Sequence, residues 1–140
     1  MKDTIKFTVE YNFPVEEVWQ AIATKEAMSE WLMPCDFEPI VGRSFQFKSK
    51  PYPGFDGNIH CVVLELVENK LLSYSWTGGS LEDTRVRFQL QPKGGKTVLH
   101  FEHSGFNGFM NQLLVRRILS NGWKTKILPK LLLKFLKKNG

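Results

Sequence analysis

The chain has 140 residues, 42% of them hydrophobic and 13% aromatic, with a formal net charge of +5. These amounts fit a single domain spanning residues 1–140 with one core, and they exclude a disordered chain. No apolar run reaches the roughly 20 residues of a membrane span, and Met1-Lys2-Asp3-Thr4 begins no secretory signal, so a cytoplasmic protein without stable membrane insertion is expected. Cys35 and Cys61 are the only cysteines, which excludes a disulfide scaffold and the usual zinc pairs.

The first strand is marked by Ile5, Phe7, Val9 and Tyr11 alternating with Lys6, Thr8 and Glu10. Pro14 suits the first turn of a helix, with Glu16 and Glu17 at its positive end and Val15, Val18, Trp19 and Ile22 on one face. A second short helix is read from Lys25 to Leu32, stopped by Pro34. Phe45 and Phe47 alternate in a strand opened by Gly42, and residues 50–57 have turn chemistry. Four strands follow: Asn58 to Val67, Leu71 to Thr77, Asp83 to Gln91 and Lys96 to His103. Their short connections imply antiparallel meanders. Leu72, Tyr74 and Trp76 share one face, as do Val86, Phe88 and Leu90, and Leu99 and Phe101, while Arg85, Arg87 and Gln89 point the other way. After Gly105 the period becomes helical. Phe109, Met110, Leu113, Leu114, Arg117 and Ile118 begin one face, and Trp123, Ile127, Leu128, Leu131, Leu132 and Phe135 continue it. Pro129 predicts a kink or restart.

Charge is segregated along the chain. All 14 acids lie at or before Glu102, together with 11 Lys and Arg, whereas the remaining 38 residues hold 8 basic residues and no acid. Nucleic acid is not the expected partner, because the aromatic and leucine side chains of this basic segment lie opposite its charges rather than among them. A solvated lysine face on a terminal helix is the plainer expectation. The same segment, from Lys124 to Lys138, could also lie on anionic lipid or on an acidic chaperone surface.

Several stretches together resemble the START-like, or helix-grip, superfamily, and more narrowly the bacterial relatives of the activator of the 90-kDa heat-shock-protein ATPase. They are Pro14-Val15-Glu16-Glu17-Val18-Trp19-Gln20-Ala21, Trp31, Val41-Gly42 with Phe45 and Phe47, Val63-Leu64-Glu65-Leu66, Leu72-Ser73-Tyr74-Ser75-Trp76, His103-Ser104-Gly105-Phe106 and Gly122-Trp123. The resemblance implies an α+β fold in which a curved antiparallel sheet wraps a long C-terminal helix, with two short helices after the first strand. It also implies an apolar cavity between sheet and helix. A lipid, polyketide or flavonoid-like molecule is then the expected ligand, with no cofactor and no metal. A cyclase- or lyase-type enzyme using the same cavity, and a stress-related chaperone activator, are the alternatives. The chain departs from the family at Gly42-Arg43, at Ala23-Thr24-Lys25 and at Pro129, and the separate N-terminal domain of the eukaryotic activator is not expected here. A monomer or weak homodimer is expected, with a chaperone as a further partner.

Strand parity then nominates the ligand-binding wall: Trp31, Phe45, Phe47, Leu64, Tyr74, Trp76, Phe88, Phe101 and His103, faced by Phe109, Leu113, Arg117 and Trp123 from the helix. His103 and Tyr74 are its polar members and Arg117 a third anchor; a buried imidazole or phenol needs a partner, either a ligand or a neighbouring protein group. No catalytic set is nominated. The inward titratable groups are His103, Tyr74 and His60, Glu65 and Glu102 have outward parity, and His100 and His103 fall on opposite faces of their strand.

Overall fold

The computed structural model of the chain describes residues 3–108 and 110–139. Its strands are β1 Thr4–Tyr11, β2 Ser44–Lys48, β3 Asn58–Val67, β4 Leu71–Gly78, β5 Leu81–Lys93 and β6 Lys96–Ser104. They form one curved, six-stranded antiparallel sheet in the order β1-β6-β5-β4-β3-β2. Strands β2 to β6 are a continuous meander. The β5–β6 turn is Gly94-Gly95, with φ of 55° and 83°, the doubly positive backbone that a two-residue hairpin loop needs. The remaining strand, β1, joins the β6 edge with Phe7 opposite Phe101. Between β1 and β2 lie two short helices, α1 Val15–Ile22 and α2 Lys25–Trp31. Pro14 sits at the N-cap of α1 at φ −66°, and the Thr24 hydroxyl caps α2 by accepting from the Ala27 N–H at 3.3 Å.

Strand alternation directs apolar side chains to one face of the sheet, as in β5, where Val86, Phe88 and Leu90 are buried and Arg85 and Gln89 exposed. An irregularity in β3 alters this pattern. In β3, Val63 pairs with Tyr74 and Glu65 with Ser73, leaving Leu64 as the additional residue of a bulge. Ile59, Cys61 and Val63 take the inward positions, and Leu64 is half-buried outside the core cluster.

The C-terminal helix, 110–139, crosses the concave face. It is built of wide π-type turns at Asn111–Val115 and Gly122–Leu132 and ordinary α-turns at Arg116–Asn121 and Leu133–Asn139. Pro129 lies inside the second wide segment, so the chain widens around the proline instead of breaking. This widening resets the buried face. Trp123, Leu128, Leu132 and Leu136 are buried, the first pair five residues apart, as i→i+5 turns require. Leu113 and Arg117, expected to face the sheet, are exposed instead. Phe109, expected with them, lies outside the described residues. The Tyr11 hydroxyl donates to the Leu128 carbonyl at 2.8 Å and ties β1 to the helix.

Candidate functional site

Most of the expected wall is packed rather than hollow. Phe45, Phe47, Tyr74, Phe88 and Phe101 are all buried, and their rings lie 5–6 Å apart across the sheet: 5.2 Å for Phe45–Tyr74, 5.8 Å for Phe47–Trp76 and 5.2 Å for Phe88–Phe101. Tilted and edge-to-face pairs at these separations fill space well. The Tyr74 hydroxyl is enclosed among these rings with no hydrogen-bond partner among the described residues, and burial pushes its pKa well above the ordinary value. Trp31 is also buried but serves elsewhere, donating its indole N–H to the Ala21 carbonyl at 2.7 Å and locking α2 onto α1.

The sheet and helix part at one end. A cavity of about 320 Å³ lies there, at the small end of the roughly 300–1,000 Å³ usual for ligand pockets. Trp76, Ile59 and Leu81 form the sheet side and Val115, Ile118, Leu119, Trp123 and Ile127 the helix side. Leu32 and Met33, at the end of α2, close one flank. Tyr52 and Phe55, from the β2–β3 loop, close the other. That loop folds back because Tyr52 and Phe55 exchange backbone hydrogen bonds at 2.8 and 2.9 Å and stack with ring centroids 5.0 Å apart. The polar side chains on the lining include those of Ser49, Ser80 and Tyr52; among the described residues no Asp, Glu, His, Lys or Arg belongs to it.

Behind the two tryptophans stands His103. The Trp123 indole N–H donates to His103 Nδ1 at 3.3 Å, and His103 Nε2 lies 2.9 Å from Thr84 Oγ1. Thr84 spends its one proton on the Trp76 carbonyl at 2.7 Å, so its oxygen accepts from Nε2. Donor and acceptor roles therefore fix a neutral, Nε2-protonated imidazole. Burial agrees, lowering the His103 pKa from 6.5 to about 3. Both nitrogens of His103 are bonded within the protein, so the imidazole holds two cavity tryptophans in place rather than reaching a ligand.

Of the thirteen side chains nominated from the sequence, the structure brings Trp76 and Trp123 to the cavity. His103 supports them from behind. Phe45, Phe47, Tyr74, Phe88 and Phe101 form the packed layer beside it. Leu64, Leu113 and Arg117 point elsewhere, and His60 is exposed on the outer face of β3. Tyr52, Phe55, Leu32, Met33 and Leu119 were not foreseen. For Tyr52 and Phe55 the signal was two aromatics inside a Pro-Gly turn, where neither gains burial unless the loop folds onto something.

This arrangement can exclude water from an apolar body and clamp rings between indoles. A larger groove of about 590 Å³ lies outside, between α1, α2 and the end of the C-terminal helix, but Glu16, Glu17, Glu26 and Glu30 line it, the last paired with Lys138 at 2.7 Å. Carboxylates in water do not suit an apolar guest, so the smaller cavity is the better site.

The family described as "Activator of Hsp90 ATPase homolog 1-like protein" matches residues 12–131. No curated protein matches. Among solved structures, MLL2253 from Mesorhizobium loti is similar with TM-score 0.80 and 29% identity over 96% of this chain and 98% of that one. DynU16, from the dynemicin biosynthetic locus, aligns with TM-score 0.79 and 20% identity over 98% of this chain and 48% of its own. PFC0360w, an HSP90 activator from Plasmodium falciparum, aligns with TM-score 0.71 and 19% identity over 90% of this chain and 91% of its own. The last two share the fold. With the family match covering α1, α2, strands β2 to β6 and most of the terminal helix, the chain belongs to the activator of Hsp90 ATPase homolog 1-like family, on a helix-grip fold.

Proposed function

We propose that this protein binds a small, mostly apolar ring or short-chain molecule in the cavity between Trp76 and Trp123. The observation that carries the reading is the lining itself: a preformed apolar space, rimmed by two serines and a tyrosine, with no ionisable carboxylate or amine. A fold neighbour, DynU16, is a protein of the dynemicin biosynthetic locus, which is in keeping with a small-molecule ligand. Binding follows from removing apolar surface from water at about 25 cal/mol per Å², with ring faces against the indoles adding to it. The test is thermal melting with 1-naphthol and with short-chain fatty alcohols. Saturating ligand, roughly 100-fold above Kd, adds about 2.7 kcal/mol and raises Tm by roughly 5–10 °C. Leu119→Trp, which fills the space, abolishes the shift while circular dichroism stays native. No shift across the panel, or an equal shift in Leu119→Trp, overturns the reading.

A second reading, a chaperone cofactor, is favoured by one observation: a protein of the same fold is an HSP90 activator. Stimulated chaperone ATPase in a reconstituted mixture, retained by Leu119→Trp, supports it; absence of stimulation removes it.

A further inference from the structure

The helix stripe expected to face the sheet between residues 110 and 118 faces outward instead. Met110, Leu113, Leu114 and Ile118 are 58%, 42%, 48% and 61% exposed. Their spacing puts them on one side of the helix. Tyr52, 66% exposed, joins Ile118 at the cavity mouth. Exposed apolar side chains scattered singly need no explanation, but a contiguous set beside a cavity mouth marks an interaction surface.

Charge identifies the occupant. The same helix exposes Arg117, Lys124 and Lys126 and holds no acid, and the exposed acids beside its start are Glu82 and Asp83, which share a groove with Asn111. A second copy docked here about a two-fold axis would set these cations against their own equivalents, which opposes association. An anionic bilayer satisfies both components: the apolar side chains enter the headgroup boundary, and the cations meet lipid phosphates.

We propose that the outward face of the C-terminal helix over residues 110–118, together with Tyr52, docks this protein on an anionic lipid surface. Docking does not require an occupied cavity. It sets the mouth against the phase from which an apolar molecule would enter.

The test is cosedimentation with vesicles of equal parts phosphatidylcholine and phosphatidylglycerol, against phosphatidylcholine alone. The full chain is expected to bind the anionic vesicles and to bind about tenfold more weakly without phosphatidylglycerol. In about 0.5 M salt, which shortens the Debye length to roughly 4 Å, binding weakens similarly. Met110→Ser/Leu113→Ser/Leu114→Ser, none of which lines the cavity, loses about tenfold on anionic vesicles with unchanged Tm. If that variant melts early, Met110→Ser/Leu114→Ser replaces it. Leu119→Trp keeps vesicle binding, so failure of the ligand reading and failure of docking give different results. No binding to anionic vesicles overturns the proposal, and so does undiminished binding by the serine variants. A concentration-dependent dimer that the serine variants abolish, without vesicle binding, assigns the face to a second copy and also overturns it.

Discussion

At the scale of single residues, His103 shows how a buried polar group can serve a site without touching its contents. Its parity with Val86 and Phe88 across the β5–β6 ladder leaves two readings open, ligand anchor or internally bonded core group. The bonds to Trp123 and Thr84 favour the second. A consequence appears with pH. The folded-state pKa of about 3 lies below the ordinary 6.5, so between those values the unfolded chain takes a proton that the folded chain refuses. The contribution is intact above about pH 6.5 and is lost as pH falls, by at most about 1.4 kcal/mol per pH unit. Urea unfolding should therefore give a stability about 2 kcal/mol lower at about pH 5 than at about pH 7. His103→Gln, which keeps hydrogen-bonding capacity but cannot titrate, should lose distinctly less over that interval. Equal losses in both proteins would show that His103 is not the acid-sensitive group.

At the scale of elements, the C-terminal helix decides which side chains are structural and which are free. Strands β4, β5 and β6 were legible because a period of two leaves no choice of face once one side is apolar. The helix was not, because a reading at 3.6 residues per turn drifts off register wherever turns widen. A wide turn takes the carbonyl of Thr125 away from the Pro129 ring that an α-turn would press against it, so the proline seen in the sequence foretold a disturbance but not its form. Leu64 was misplaced for the same kind of reason, since a bulge adds a residue that alternation does not count. Two truncations measure the corrected faces. Leu132→Ala, at a fully buried position, should cost about 2–5 kcal/mol. Leu113→Ala, at a position 42% exposed, should change stability by less than about 0.5 kcal/mol. Equal costs in chemical denaturation would place Leu113 back in the core.

At the scale of the molecule, the sheet closes around its helix with a filled middle and a hollow end. The fold was legible in the order of elements and in the family resemblance. The position of the cavity was not, because it depends on how residues 49–57 fold back to its rim beside Gly78 and Gly79, a tertiary event with no periodic signature. The two tryptophans are shared between packed layer and cavity, with their rings 5.8 Å apart and the Trp123 ring 4.6 Å from that of Phe101. The most direct measurement is a set of intermolecular NOEs from bound 1-naphthol to methyl-labelled protein. Contacts are expected to Leu32, Leu119 and Ile127 methyls and to the Trp76 and Trp123 indoles. Contacts confined to Met110, Leu113 and Leu114 on the outer face, or none at saturating ligand, would contradict binding in the cavity.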